Sequence, residues 1–263
     1  MLKKNILVSI LINNYNNELF IKKCIQSCLN QSYKNIEIII YDDKSTDGSI
    51  DIIKQFKNTK LILNKNKKKL SSPLNQLNAI IKALKQTKGN FIFLLDGDDQ
   101  FKSNKLDKII KLFQKNEKIN MLQDKPFLIK KKKILNLKLK KHIFSIWPSI
   151  YPTSCIAIRK KFLFKFLKYS NKKKFPNLEI DARLAMYAYL TNNYNIINHS
   201  LTFYNYDNLG ISSKYKKFSM KWWKKRFEAF EYLKYLCKRL KIKFKKGPDY
   251  YLSALINKIS NFN

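Results

Sequence analysis

Three carboxylates in four positions, Asp96, Asp98 and Asp99, close the run KGNFIFLLDGDD at residues 88–99. The chain of 263 residues has 18 acidic side chains against 54 Lys and Arg, so such a cluster is hard to ascribe to composition. Holding like charges together is unfavourable unless a cation or a ligand offsets them. A set of oxygen donors of this kind suits Mg²⁺ or Mn²⁺, with waters and substrate phosphates completing the shell. The plainer reading is an acidic turn that caps the following helix. A second pair, Asp42-Asp43, closes another apolar run, and Glu179 and Asp181 are the only acids between Asp124 and Asp207.

The elements that would position these groups are legible from periodicity. Phe91–Leu95 is apolar at every position, which predicts a strand buried on both faces of a parallel sheet. Ile6–Ile12, Ile36–Tyr41 and Leu61–Leu63 read the same way. Between them, Ile21, Cys24, Ile25, Cys28 and Leu29 recur at helical spacing, as do Leu74, Leu77, Ile81 and Leu84. Ser45, Thr46 and Asp47 are suitable N-caps for a helix carrying Ile52, Ile53 and Phe56. Alternating strands and helices to residue 124 predict βαβ units and a mostly parallel, Rossmann-like sheet flanked by helices. Parallel strands end on one edge, so both acidic turns should meet there, where ligands of open α/β sheets bind. No G-x-G-x-x-G turn and no G-x-x-x-x-G-K motif occurs, which disfavours dinucleotide and P-loop sites.

The formal net charge is +36. Residues 125–263 carry 32 basic and 6 acidic side chains, against 22 and 12 in residues 1–124. That balance favours polyanions, yet Lys, Asn and Ile abound throughout, and a biased composition accounts for most of it. A nucleic-acid-binding protein is the alternative from another class; no recognition helix, RNP-like pattern or zinc module supports it, and no nucleic-acid partner is expected. Cys24, Cys28, Cys155 and Cys237 form no C-x-x-C pair and suit reduced core positions. Met1–Ile12 imitates a signal peptide but runs into Asn13–Glu18 rather than a small-residue cleavage site, so it reads as a first strand. No run reaches membrane-span length. The expected location is therefore cytoplasmic.

The run SILINNYNNELFIKKCIQSCLNQSYKNIEIIIYDDKSTDGSIDII, followed by KGNFIFLLDGDD, resembles the nucleotide-binding half of family 2 glycosyltransferases with the GT-A fold. The resemblance implies inverting transfer of a sugar, UDP-linked in the first instance, from a nucleotide-diphosphate donor to the hydroxyl of a glycan or lipid-linked acceptor. Surface polysaccharide or lipid-linked glycan assembly is the expected setting. It places Asn13 and Tyr15 beside the base, with Asp43 accepting a hydrogen bond from it. Asp96, first acid of the D-x-D, would face ribose or metal, and Asp98 or Asp99 would bind Mg²⁺ or Mn²⁺. Asp181, with Glu179 second, is the implied general base, although the family's usual Glu-Asp pair is here split by Ile180. Their other role is ordinary: acids in a first helical turn complement the macrodipole. Asn13 stands where the family often has proline or threonine, and the late loop Tyr204–Ser213 lacks the metal-binding histidine of many relatives. Asp207 is a candidate substitute, and His199 reads as structural. Trp147–Ser154 resembles the acceptor side, and Lys67–Lys69 are candidate partners for the leaving diphosphate. The departures leave a catalytically inactive relative as a further alternative. A nucleotidyltransferase would need a Gly-rich loop that Asn13–Asn17 does not provide.

The chain thus divides into a GT-A domain over residues 1–215, with a nucleotide-binding half 1–124 and an acceptor half 125–215, and basic amphipathic C-terminal helices over 216–263. Phe127–Leu139 alternates around Lys130–Lys133 and suits a hairpin or edge pair. In Ser219–Lys241, Trp223, Phe227, Phe230, Leu233, Cys237 and Leu240 form an apolar stripe, and Gly247-Pro248 precedes a final short helix. Packing on the domain is the favoured role. The alternative is peripheral contact with an anionic membrane, on the inner face of the plasma membrane. Donor sugar, linkage and oligomeric state leave no readable mark in the sequence.

Overall fold

The computed structural model describes residues 6–65, 70–130, 133–136, 148, 150–206 and 215–260. The opening segment follows the expected alternation: β1 (Val8–Asn14), α1 (Ile21–Leu29), β2 (Ile36–Asp42), α2 (Ser49–Lys54), β3 (Thr59–Leu63), α3 (Ser72–Leu84) and β4 (Phe91–Asp96). These strands lie in the order β3-β2-β1-β4 and all pair in parallel. Every other residue of the central strands faces one side. Val8, Ile10, Ile12, Phe91, Phe93 and Leu95 pack with Cys24, Ile25 and Cys28 of α1 and with α4 (Lys105–Lys115). Leu11, Ile39, Tyr41, Ile92 and Leu94 face a second cluster that includes α3. Apolarity at every strand position is thus explained by burial on both faces.

Beyond β4 the sheet becomes mixed rather than parallel. β8 (Ile156–Arg159) pairs antiparallel with β4, and β6 (Met121–Lys130) antiparallel with β8. β9 (Tyr194–Asn205) runs parallel to β6, and β5 (Gln100–Phe101) closes the order against β9. β7 (Lys133–Asn136) folds back on β6 as the expected hairpin, within narrower bounds. Helices α5 (Lys160–Leu167), α6 (Ile180–Leu190) and α7 (Met220–Leu240) add Phe162, Phe166, Leu184, Tyr187, Tyr232 and Leu236 to the α3 side of the core. The last helix is α8 (Pro248–Ser260). Ser219 caps α7, its side chain accepting a hydrogen bond from the Trp222 N–H, which satisfies one of the helix's orphan donors. All four cysteines are free and buried, as expected of core residues. Among the described residues no helix is long and apolar enough to cross a membrane.

Candidate active site

The carboxyl ends of β1, β2 and β4 open onto a cleft of about 1120 Å³. The first wall is built by two interlocked loops. Asp42 is fully buried and accepts hydrogen bonds from Asn14 Nδ2 (2.8 Å), the Ser45 backbone N–H (2.9 Å) and Ser45 Oγ (2.6 Å). Asp42 therefore anchors the turn, and its neighbour Asp43 is left to line the cleft. Asn16 (φ 51°) and Lys44 (φ 66°) let both loops reverse; asparagine adopts this left-handed conformation readily, lysine with more strain. Asp43 Oδ1 accepts from Asn64 Nδ2 at 2.6 Å. Burial raises the Asp43 carboxyl above its ordinary value, opposed by the amides of Asn64 and Asn75. Asn13 and Tyr15 complete this end, with the Tyr15 ring 59% exposed and accessible for stacking.

The acid trio is divided between two tasks. Asp96 and Asp98 line the cleft; Asp99 is not among its lining residues. Asp99 is buried, accepting from Ser154 Oγ (2.5 Å) and the Asn205 backbone N–H (2.7 Å), so it ties β4 to β9. Ser154 Oγ in turn accepts from the Asp96 N–H at 3.0 Å. Asp96 Oδ1 accepts from Gln76 Nε2 at 2.9 Å. Burial, followed by the charge of Asp98, pushes the Asp96 carboxyl up to about 7, against the amides of Gln76 and Asn13. Gly97 between them allows a close approach: a Cβ there would stand 2.6 Å from Asn14 Oδ1 and 2.9 Å from Asn17 Nδ2.

Opposite, α6 starts with Glu179 at its N-cap position and Asp181 in its first turn. Both line the cleft, on the same side as Trp222, Lys225 and Arg226 of α7. Glu179 Oε1 forms an ion pair with Lys225 Nζ. Asp181 accepts from the Ala182 N–H at 2.6 Å. Burial and the neighbouring Glu179 charge push the Asp181 carboxyl up to about 7, opposed by that N–H and by Lys225. Asp181, Pro152 and Tyr204 also border an adjoining pocket of about 460 Å³, with Leu128, Tyr151 and Tyr206. Asp181 thus belongs to the wall of two cavities.

Both acidic turns meet at one edge of the sheet, as the parallel-strand argument required, and Glu179 and Asp181 line the same cleft. Pro148, Pro152 and Thr153 of the segment expected on the acceptor side line it as well. His199 is exposed on β9 and is absent from the cleft lining. Lys67–Lys69, Trp147 and Asp207 fall outside the described residues. Sequence reasoning missed Asn64, Asn75 and Gln76, which orient the acids, and a buried ion pair behind them. Lys105 Nζ lies 2.7 Å from Asp124 Oδ1 with both side chains fully buried. It also donates to the Ser154 carbonyl (2.7 Å) and Thr202 Oγ1 (2.6 Å). Asp124 stands between Gln123 and Lys125 in β6 and Lys105 is one lysine among many, so only the scarcity of acids pointed to either partner.

The sequence profile described as Glycosyl transferase family 2 matches residues 9–167. The chain belongs to glycosyltransferase family 2. Among curated relatives, UDP-Glc:alpha-D-GlcNAc-diphosphoundecaprenol beta-1,3-glucosyltransferase WfaP of Escherichia coli is 40% identical over 130 residues, covering 47% of this chain and 49% of the relative. The putative glycosyltransferase EpsE of Bacillus subtilis is 38% identical over 114 residues, covering 41% and 39%. The matched region spans about half the length, or less, of these relatives. Among solved structures, S. aureus TarS 1-349 in complex with UDP superposes with TM-score 0.63 at 15% identity, covering 95% of this chain and 69% of that one. A mannosyltransferase of Pyrobaculum calidifontis, in complex with GDP-Man and Mn²⁺, gives TM-score 0.60 at 13% identity, covering 95% and 68%. The family 2 chain therefore has the GT-A type of fold, a mixed α/β sheet with flanking helices.

Proposed function

We propose that this protein transfers a sugar from a nucleotide-diphosphate donor, UDP-linked, to an acceptor hydroxyl with inversion at the anomeric carbon. The observation that carries the reading is Asp181 standing in the wall of both the strand-end cleft and the adjoining tyrosine-lined pocket. A group so placed can reach a donor in one cavity and an acceptor in the other. The UDP complex of TarS and the UDP-Glc in the name of the Escherichia coli relative support the choice of nucleotide. That relative's diphosphoundecaprenol acceptor supports a role in polysaccharide or lipid-linked glycan assembly.

In this reading Tyr15 and Asn13 bracket the base and Asp43 accepts a hydrogen bond from it, with lone pairs to spare beside Asn64. The donor set fits a divalent cation: two cleft carboxylates, Asp96 held near 7 by burial and then by the charge of Asp98, form a site that positive charge would relieve. Among the described residues no group of three His, Cys, Asp or Glu side chains is arranged for a metal; Mg²⁺ or Mn²⁺ is commonly held by one or two carboxylates plus phosphate oxygens. Asp98 with Asp96 would hold it, and bound there it would supply Lewis-acid stabilisation of the departing diphosphate. Asp99 braces Ser154 and β9 behind them.

Of the two candidate bases, Glu179 is engaged by Lys225 and Asp181 is not. Burial and the Glu179 charge bring the Asp181 carboxyl to about 7, near working pH, where a general base is most effective. Its carboxylate takes the proton of the acceptor hydroxyl as that oxygen forms its bond to the anomeric carbon, on the face opposite the diphosphate. Tyr151, Tyr204 and Tyr206 offer ring faces and hydroxyls to the acceptor. The test is a thermal-shift panel of UDP, GDP, dTDP and CMP with and without Mn²⁺, followed by transfer from UDP-sugars with the product's anomeric configuration read by NMR. Ligand at 100 times its dissociation constant stabilises by about 2.7 kcal/mol. A Mn²⁺-dependent shift with UDP and an inverted product are expected; no shift with any nucleotide, or a retained configuration, overturns the reading.

A further inference from the structure

The amphipathic stripe of α7 packs inward: Phe230, Leu233 and Cys237 are buried and Trp223, Phe227 and Leu240 half-buried. The helix that follows is different. On α8, Tyr251, Leu252, Leu255 and Ile259 are 59%, 48%, 57% and 52% exposed. At about 100° per residue these four fall within an arc of about 100°, with exposed Lys258 at its margin. The opposite side is fastened. Asp249 is ion-paired with Arg226 of α7, the Tyr250 ring lies 5.5 Å from that of Phe230, and Ser253 is buried. The exposed stripe is thus a fixed feature of the surface.

Its surroundings select the partner. The connector from α7 to α8 carries exposed Lys241, Lys243, Lys245 and Lys246, and Lys246 Nζ sits 6.0 Å from the Tyr251 ring centroid. An apolar strip rimmed by cations matches an interfacial helix: side chains enter the headgroup boundary while lysines meet anionic headgroups. A second copy of the chain would bring the same lysines against each other on a molecule of net charge +36, which opposes homotypic burial of the stripe. We infer that the outward face of α8, with the lysines of the preceding connector, docks the protein on an anionic lipid bilayer. One ion pair, Asp249–Arg226, links this helix to the cleft wall, since Arg226 is a lining residue. An amphipathic acceptor held in the bilayer would then be presented near the cleft.

Vesicle binding needs neither donor nor acceptor, so its failure is distinguishable from failure of the transfer reaction. The full chain would be co-sedimented with vesicles of phosphatidylcholine alone and with 30% phosphatidylglycerol, a composition chosen as about one-third anionic. Preferential binding to the anionic vesicles is expected. L252S/L255S/I259S should weaken it at least tenfold, and K243Q/K245Q/K246Q should do so at low salt. Both variants are surface changes and should keep the wild-type melting temperature and nucleotide-induced shift. Equal binding to both vesicle types, undiminished binding of the apolar triple variant, or a wild-type dimer that this variant dissociates in sedimentation would each overturn the proposal.

Discussion

Asp181→Asn separates the catalytic reading of α6 from the structural one, because the two predict opposite signs of stability change. A carboxylate placed in a first helical turn to complement the macrodipole stabilises by about 0.3–1 kcal/mol, and its neutralisation should lower the melting temperature. The geometry here argues the reverse. Burial and Glu179 hold the folded-state pKa near 7, against an ordinary 3.8. Between those values the folded protein binds the proton and the unfolded chain does not. Stability linked to this group is therefore fully present below about pH 4 and lost as pH rises through about 7. Three units correspond to a ceiling of about 4 kcal/mol, reduced by partial exposure and by the mutual titration of Asp181 and Glu179. Retaining only about 1 kcal/mol would still shift the melting temperature by about 2–4 °C for a chain of this size. The asparagine variant should match wild type at pH 4 and melt higher at pH 8.

Turnover should move the other way. Asparagine cannot accept the proton, and general-base help is worth about 10²–10⁴-fold, or about 3–5 kcal/mol of barrier. Scanning fluorimetry from pH 4 to 9 gives the first curve, and nucleotide release at saturating donor gives the second. The wild-type kcat/KM should rise through an acid limb near pH 7. A variant that melts lower at pH 8, or one that transfers sugar at the wild-type rate, refutes the argument.

Three further outcomes follow from the same geometry. Asp98→Ala should weaken UDP binding at least tenfold in the presence of Mn²⁺ while leaving the metal-free affinity unchanged, by isothermal titration; undiminished metal-dependent affinity removes Asp98 from the cation site. Lys225→Met deletes a cation that stabilises the Asp181 carboxylate, so the acid limb of the pH–rate profile should move to higher pH, and an unmoved limb would uncouple the two groups. Lys105→Met leaves Asp124 buried without its cation and should destabilise by about 3–5 kcal/mol, whereas Lys105→Met/Asp124→Leu should lose less; urea titration measures both, and a loss under about 1 kcal/mol would show that the pair is dispensable.

The first half of the fold was legible because its signals are local. Continuous apolar strands, helical periodicity and acidic turns at strand ends each follow from burial within a short window. The mixed half was not. β8 and β9 join the sheet through pairings whose partners lie far away in sequence, and neither Ile156–Arg159 nor Tyr194–Asn205 has a period that names a neighbour. Among the site residues, the acids stood out because acids are scarce here, but scarcity could not separate Asp42 from Asp43, or Asp98 from Asp99. Those divisions are made by hydrogen bonds from Ser45 in the same turn as Asp42, and from Asn14, Ser154 and the Asn205 backbone on other strands and loops. Gln76 is a comparable case: one polar residue beside Leu77 on α3 identifies nothing until β4 brings Asp96 within 2.9 Å.

The acids that touch the cleft and the acids that hold it together differ by one position in the chain, and this has a physical basis. Asp42 ends β2 with Asp43 just beyond it, and Asp98 and Asp99 lie in the turn after β4; in each adjacent pair hydrogen-bond donors draw one carboxylate into the interior and the other is left to the cleft. Asp42 and Asp99 are the interior members, each satisfied by at least two donors, and Asp43 and Asp98 are the cleft members. A buried carboxylate without donors would be strongly unfavourable; with them it becomes a rigid post beside the functional one. The same economy holds across the cleft, where Lys225 of α7 is ion-paired with Glu179 and opposes the rise that burial and the Glu179 charge impose on Asp181. A helix more than 30 residues downstream of Asp181 thereby takes part in setting the chemistry of α6. Of the basic surplus so prominent in the composition, Lys225 is the lysine placed against both Glu179 and Asp181 at this site.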